Sequence, residues 1–242
     1  MNTLEAISIR KSRRSYISTS IDTNIVSHFE ELIKEYNAKE KLHIQFIKEG
    51  SEPFRGLKNS YGMFSGVQSF FALAGPKDDE NSREKLGFYG ELLVLEATKY
   101  NLGTCWVGGT YNKKLCPCNL NDNEELFCVI IVGNVEEKTS FKENAIYKLA
   151  HRSTKPIEAL YSSKENVPSW FIEGMKAVQK APSAINKQPV NFSLLNGIVT
   201  ASVPDKAAHE RFDLGIAKAH FEIATQRGTW EWGNGAKYNY TK

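Results

Sequence analysis

Twice in this chain, a long apolar stretch of helical character runs into a glycine, a threonine and a tryptophan. The first begins at Ser82, runs to about Tyr100 and is followed by Leu102-Gly103-Thr104-Cys105-Trp106; the second spans Phe212 to Gln226 and is followed by Arg227-Gly228-Thr229-Trp230. Each is preceded by a helix, a loop and a strand, so the two stretches hold equivalent places in a common order. The identity between them is thin, but this parallel order is what a pseudo-symmetric chain built from two related halves would show. A boundary near residues 155–166 divides such halves into 1–160 and 161–242. At this length, one large domain or two modest ones bury a sizeable core.

The first apolar helix is the more informative. Leu92, Leu93, Val94, Leu95 and Ala97 make it apolar nearly all round, which places it inside the protein. Ser82 reads as its cap, and Asn101-Leu102-Gly103 is a helix stop. Gly87 and Gly90 each cost ~1 kcal/mol relative to alanine in a helix interior; they mark either a close approach by another element or an irregular first turn. Ahead of it, Ile25, Val26, Phe29, Leu32, Ile33 and Tyr36 recur at helical spacing behind a run of N-cap residues, Ser18 to Thr23. Leu42, Ile44 and Phe46 alternate as a strand, residues 49–66 read as irregular, and Val67 to Gly75 is a buried strand. Phe127 to Gly133 is nearly all apolar, as a central strand should be. In the second half, Val167-Pro168-Ser169 opens a helix, and Asn196-Gly197 is a hairpin turn between Asn191–Leu195 and Ile198–Val203.

Composition narrows the function. A net charge of +3 with 24% charged residues is too small and too dispersed for a nucleic-acid surface. No apolar run approaches the length of a membrane span and the N-terminus has no signal-like apolar core, so a cytoplasmic protein is expected. Cys116-Pro117-Cys118 lacks the second pair or neighbouring histidine that a metal site needs, so the cysteines read as free thiols and no metal is expected.

One stretch stands out against this background. Arg10-Lys11-Ser12-Arg13-Arg14 places four cations in five positions. In an extended segment Arg10, Ser12 and Arg14 share a face, opposite Lys11 and Arg13. Two guanidinium forks with a hydroxyl between them suit a phosphate or another oxyanion. On charge alone, a solvated basic turn is the simpler explanation.

Four segments together resemble the FMN-dependent nitroreductase family, and in particular its branch of single-chain enzymes. Arg10-x-Ser12-x-Arg14 looks like that family's Arg-x-Ser-x-Arg flavin motif. Ala181-Pro182-Ser183-Ala184-x-Asn186-x-Gln188-Pro189 looks like its Ala-Pro-Ser-Ala-x-Asn-x-Gln-Pro loop. Leu102 to Gly109 looks like the segment beneath flavin N5, and Arg152 resembles the basic residue that reaches the flavin phosphate. The order departs from ordinary members, which carry the first two motifs in one domain and pair as homodimers with a flavin at each interface. Here Lys39-Glu40-Lys41 stands where the Ala-Pro-Ser loop is expected, and that loop occurs only in the second half.

The resemblance implies an α+β nitroreductase-like fold in which the second half replaces a partner subunit: a monomer with an internal pseudo-twofold and one complete flavin site. It implies FMN as cofactor, with NADH or NADPH as co-substrate and a nitroaromatic, quinone or similar small molecule as acceptor, reduced by a ping-pong route. The cofactor-binding residues carried over are Arg10, Lys11, Ser12, Arg14, Gly108, Gly109, Arg152, Pro182, Ser183, Ala184, Asn186 and Gln188. Arg10, Ser12 and Arg152 (or Lys155 in its stead) would hold the phosphate. Arg14 would lie near N1 and the C2 carbonyl, a backbone N–H near Gly108 or Gly109 would face N5, and Asn186 and Gln188 would meet ring or ribityl groups. No side chain is required as nucleophile or base, because the flavin carries the hydride step. Lys11 and Arg13 read as solvent-facing, Trp106, Trp170 and Trp230 as core or interface, and Cys105 as packing. A flavin carrier or redox sensor without turnover, and an oxygen-dependent flavin enzyme of the same fold, are the alternatives.

Overall fold

The computed structural model describes residues 1–141, 143–145 and 153–241. Their packing separates two compact units, one of residues 9–82 and 93–149, the other of residues 1–8, 83–92 and 150–242. Helix α1 (Thr3–Ile9) lies almost wholly in the second.

In the first unit α2 (Thr23–Glu40) starts where Asp22 accepts the Asn24 N–H, and ends at Lys41 in the left-handed conformation. Val26, Phe29 and Ile33 are buried from the stripe expected of it. Strand β1 (His43–Ile47) leads through a 3-10 turn (Glu52–Phe54) and a short helix α3 (Gly56–Ser60) to β2 (Ser69–Pro76). Helix α4 (Ser82–Lys99), β3 (Gly103–Val107) and β4 (Glu124–Gly133) complete the series. The sheet is antiparallel throughout, in the order β1-β2-β4-β3. Strand β4 is therefore internal, and Val129, Ile130, Ile131 and Val132 are fully buried. Alternation along β2 sends Phe71 to Phe29 of α2 (5.2 Å between ring centroids) and Phe70 to Phe54 of the 3-10 turn (5.5 Å). The 49–66 stretch, expected to be irregular, thus lays a lid of aromatic side chains on the sheet's second face. Ser82 is not the cap of α4. That position belongs to Asn81, and the Ser82 hydroxyl instead donates to the Pro76 carbonyl at 2.8 Å.

The second unit holds β5 (Tyr161–Ser163), α5 (Ser169–Lys180), β6 (Asn191–Leu195), β7 (Ile198–Ser202), α6 (His209–Thr225), β8 (Gly228–Trp230) and β9 (Lys237–Tyr240). Its sheet runs β5-β6-β7-β9-β8, with only β5 and β6 parallel. Asn196 and Gly197 turn the β6–β7 hairpin with φ of 53° and 69°, the left-handed pair that a two-residue turn requires. Phe192, Phe221, Trp230 and Tyr238 form its aromatic core, so Trp230 is a packing residue.

Both units therefore repeat helix, two strands, helix, two strands, and they repeat the strand order as well: β1-β2-β4-β3 matches β6-β7-β9-β8. Gly103 opens β3 and Gly228 opens β8, each directly after the long helix. Two related halves are visible in the topology, where the sequences alone hardly align.

The first half of α4 packs within the second unit, against α6. A Cβ on Gly87 would lie 2.3 Å from the Phe212 carbonyl oxygen, and one on Gly215 would lie 1.9 Å from that of Glu84. Gly87 thus marks a close backbone approach. Among the described residues, no helix is long and apolar enough to cross a membrane.

Candidate functional site

The basic segment lies along the free edge of β3. Ser12 bridges Thr104 in parallel, and the Arg13 N–H donates to the Thr104 carbonyl at 2.8 Å. Extended backbone alternates its side chains, and Arg13 turns inward. This corrects the expectation that Arg13 faces solvent: it is buried, its Nε donating to Glu143 Oε1 at 3.1 Å and its Nη1 to the Glu136 carbonyl at 2.9 Å. Gly103 makes room for it, since a Cβ there would lie 3.0 Å from Arg13 Cβ. Lys11 is exposed, as expected.

Glu143 organises the segment. Its Oε1 also accepts the Arg14 N–H (2.7 Å) and the Ser15 N–H (3.1 Å), while Oε2 accepts the Ser140 N–H (2.7 Å). Burial by itself would raise its pKa. The hydrogen bonds from Arg14, Ser140, Arg13 and Ser15 outweigh that and pull it down to about 2. One carboxylate thereby neutralises Arg13 and fixes the backbone from which Arg14 projects. Motif reasoning missed Glu143, because nothing local ties residue 143 to residues 13–15.

Arg10, Ser12 and Arg14 keep the other face. Arg10 and Arg14 both bear on the Cys105 thiol of β3, whose pKa burial raises against the pull of those two cations. Cys105 is buried and stays a thiol, in keeping with a packing role. Arg14 Nε is buried and has no hydrogen-bond partner. A buried guanidinium N–H without an acceptor costs on the order of 1–3 kcal/mol, so it is a ready donor for an anionic or carbonyl oxygen. At the far end of β3, Gly108 and Gly109 are exposed, and a Cβ added to either would meet nothing within 4 Å. Their backbone is open to a flat ligand.

The 181–189 loop belongs to the second unit. Ser183 Oγ accepts the Gln188 N–H at 2.8 Å, and Asp213 Oδ1 on α6 accepts the Ala184 N–H at 3.0 Å. Between these clasps Ile185 (φ 48°) and Asn186 (φ 51°) are left-handed, as is Gln188 (φ 46°). Such conformations cost of order 1–3 kcal/mol each for non-glycine residues and persist only where the surroundings over-determine them. Pro182, Ser183 and Ala184 are half-buried, as is Asn186, whereas Ile185 is exposed. The Gln188 side chain, expected to meet the flavin, makes its hydrogen bonds within its own unit. It is buried, with Oε1 accepting the Lys155 N–H (2.8 Å) and Nε2 donating to the Gln179 carbonyl (3.0 Å). Lys155 Nζ donates to the Gln188 carbonyl at 2.8 Å, so both residues fasten the loop. Arg152 lies outside the described residues.

Burial, with Cys118 nearby, pushes the Cys116 thiol up to about 12. Among the described residues, no group of three or more potential ligands is placed to hold a metal ion.

The family model described as "Putative TM nitroreductase" matches residues 2–225. A search of curated proteins gave no match. Among solved structures, a "putative nitroreductase" from Thermotoga maritima shares 20% identity over 98% of this chain and 92% of its own, with a TM-score of 0.65. A nitroreductase family protein from Clostridium difficile shares 17% identity, covering 69% of this chain and 100% of its own, with a TM-score of 0.49. A nitroreductase with bound FMN from Bacteroides fragilis shares 15%, covering 58% and 95%, with a TM-score of 0.42. The repeated α+β topology is that of a nitroreductase-like fold, the family model spans nearly the whole sequence, and the chain belongs to the nitroreductase family that the model describes.

Proposed function

We propose that this protein binds one FMN per chain and uses it to pass electrons from NADH or NADPH to a nitroaromatic, quinone or similar small acceptor, in two half-reactions. The observation that carries this reading is the buried, unpartnered Nε of Arg14, on a segment paired to β3 at Thr104, fixed by Glu143 and shared with Arg10 and Ser12. A fixed cation of this kind, set in a partly buried site, is suited to an oxygen that gains negative charge when its carrier is reduced. Bound FMN would supply the two-electron chemistry. Arg10 and Ser12 would hold its phosphate by charge-assisted hydrogen bonds, with Arg152 as a third donor carried over from the family motif. Arg14 would stabilise the pyrimidine end, the backbone at Gly108 and Gly109 would face N5, and Asn186 would meet a ring or ribityl oxygen.

The absorption spectrum of the purified protein, reconstituted with FMN and then titrated anaerobically with NADH and NADPH, tests the reading. Flavin bands at one equivalent per chain that bleach with a nicotinamide are expected, and Arg14→Met should lower FMN affinity at least tenfold. A chain that takes up no FMN overturns the proposal; two equivalents per chain overturn the single site. Binding without bleaching by either nicotinamide would identify a flavin carrier instead.

A further inference from the structure

Asp213 stands on α6 with only 4% of its surface exposed. Its two carboxyl oxygens have unequal surroundings. Oδ1 accepts the Ala184 N–H at 3.0 Å, while Oδ2 is buried without a hydrogen-bond partner. Ala184 is the first residue of the 3-10 turn Ala184–Asn186, so its N–H has no acceptor within the turn, and Asp213 takes the place of an N-cap from a separate helix. Ser183, the local residue at the cap position, makes no cap hydrogen bond there and spends its hydroxyl on the Gln188 N–H instead. The left-handed pair Ile185–Asn186 follows directly.

We propose that Asp213 is the positioning residue of the 181–189 loop, fixing it at Ala184 so that Asn186 is held ready for the flavin. This rests on the function proposed above and adds to it a residue outside every motif that pointed to that function. The loop is held at Gln188 by Gln179 and Lys155, at the Gln188 N–H by Ser183 and at the Ala184 N–H by Asp213, and Lys187 also pairs with Glu210 at 3.1 Å. The first two both lie at the loop's exit. Among the described residues, Asp213 reaches its entry from another element, immediately ahead of the left-handed pair. Loss of that hydrogen bond would free Ala184 to follow a relaxation of Ile185 toward the right-handed region, which would carry Asn186 with it.

The charges around Asp213 explain how a carboxyl serves there. Burial raises its pKa to about 7, with Glu210 of the same helix adding to the rise and the Ala184 N–H and Lys187 of the loop opposing it. A carboxylic acid carries its proton on one oxygen and accepts on the other, and asparagine reproduces that donor–acceptor pattern at the same size. The conservative variant is therefore a sharp test.

The full-length protein and its Asp213→Ala, Asp213→Asn and Ala184→Pro variants would be compared by FMN titration at pH 7 and by amide hydrogen exchange over residues 181–189. Ala184→Pro deletes the donated N–H and leaves Asp213 in place; proline suits the first position of such a turn, and Ser183 before it is already extended (φ −145°, ψ 161°). We expect Asp213→Ala and Ala184→Pro each to speed exchange across the loop and to weaken FMN binding at least tenfold. Asp213→Asn should stay within threefold of wild type on both readouts and keep its flavin absorption envelope. Wild-type-like exchange and affinity in both disruptive variants would overturn the proposal, as would failure of Asp213→Asn alongside them. If Asp213→Ala does not fold, Ala184→Pro and Asp213→Asn decide. If the wild type takes up no FMN, the proposed function falls. Exchange then decides the positioning role alone, with a loop equally protected in all four proteins counting against it.

Discussion

A buried carboxylate that accepts three backbone N–H groups and one guanidinium N–H is the chief fixed point of the basic segment. Glu143 is 4% exposed and depends on Arg13, Arg14, Ser15 and Ser140 for its charge to be tolerated. Its folded pKa lies below the usual glutamate value, so the stability it contributes is present above pH 4.5 and is lost as the pH falls toward about 2. Glu143→Gln should cost roughly 2–4 kcal/mol at pH 7, the cost of replacing several charge-assisted hydrogen bonds with neutral ones, and should flatten the acid limb; urea unfolding from pH 3 to pH 7 checks both. Asp213 has the opposite sign. With its folded pKa raised to about 7 from an ordinary 3.8, the wild type should match Asp213→Asn near pH 4 and lose ground to it progressively up to about pH 7. The difference above that pH should be on the order of 4 kcal/mol, again read by urea unfolding. These two residues also show where sequence reading stopped. The face shared by Arg10, Ser12 and Arg14 follows from backbone alternation, which is local. Arg13's burial depends on a glutamate 130 positions away, and Gln188's on Lys155 and Gln179, and no motif carries such partners.

At the scale of elements, apolar periodicity found α2, α4, α5, α6 and the long strands, because each buries a stripe or a face wide enough to pattern the sequence. Strands β8 and β9 were not visible, being three and four residues long and partly polar. Nor was the polar seam between α4 and α6. Glu84 and Glu91 lie seven positions apart on one face of α4, and they meet Lys218 and His220 of α6 with no exposed surface on any of the four. Lys218 Nζ donates to Glu84 Oε1 and to the Glu231 and Gly233 carbonyls, and burial lowers its pKa against the opposing pull of Glu84. His220 Nδ1 faces the Ala177 carbonyl and so carries a proton, while Nε2 lies 2.9 Å from Glu91. Removing one partner of a buried pair leaves the other charge uncompensated. Lys218→Met should therefore cost roughly 3–5 kcal/mol, and the Glu84→Gln/Lys218→Met double variant should recover part of it; a single variant within about 1 kcal/mol of wild type in chemical denaturation would contradict this. Gly215→Ala, which sets a methyl against the Glu84 carbonyl, should cost about 1–3 kcal/mol by overpacking.

For the whole molecule, the two related halves are not two independent pieces of chain. Residues 83–92, which lie between two strands of the first unit in sequence, pack within the second. They bring that unit the carboxylates for Lys218 and His220 and the glycine surface against Phe212. A fragment of residues 150–242 retains α5, α6 and its whole five-stranded sheet, so strand topology alone predicts that it folds. Burial energetics predict the reverse. The fragment would hold an unpaired lysine and an unpaired histidine on the helix at its centre, and that helix would lose the close backbone packing of α4 against Phe212 and Gly215. Uncompensated polar groups of this kind cost several kcal/mol each, against a total stability of about 5–15 kcal/mol for a whole domain. Residues 150–242 expressed alone should accordingly show no cooperative thermal transition by circular dichroism. The same fragment fused through a flexible linker to residues 78–99 should regain one, and should lose it again when Glu84 and Glu91 are both changed to alanine. A cooperative transition in the unfused fragment would show that the sheet and α6 suffice, and that the buried carboxylates of α4 serve something other than folding.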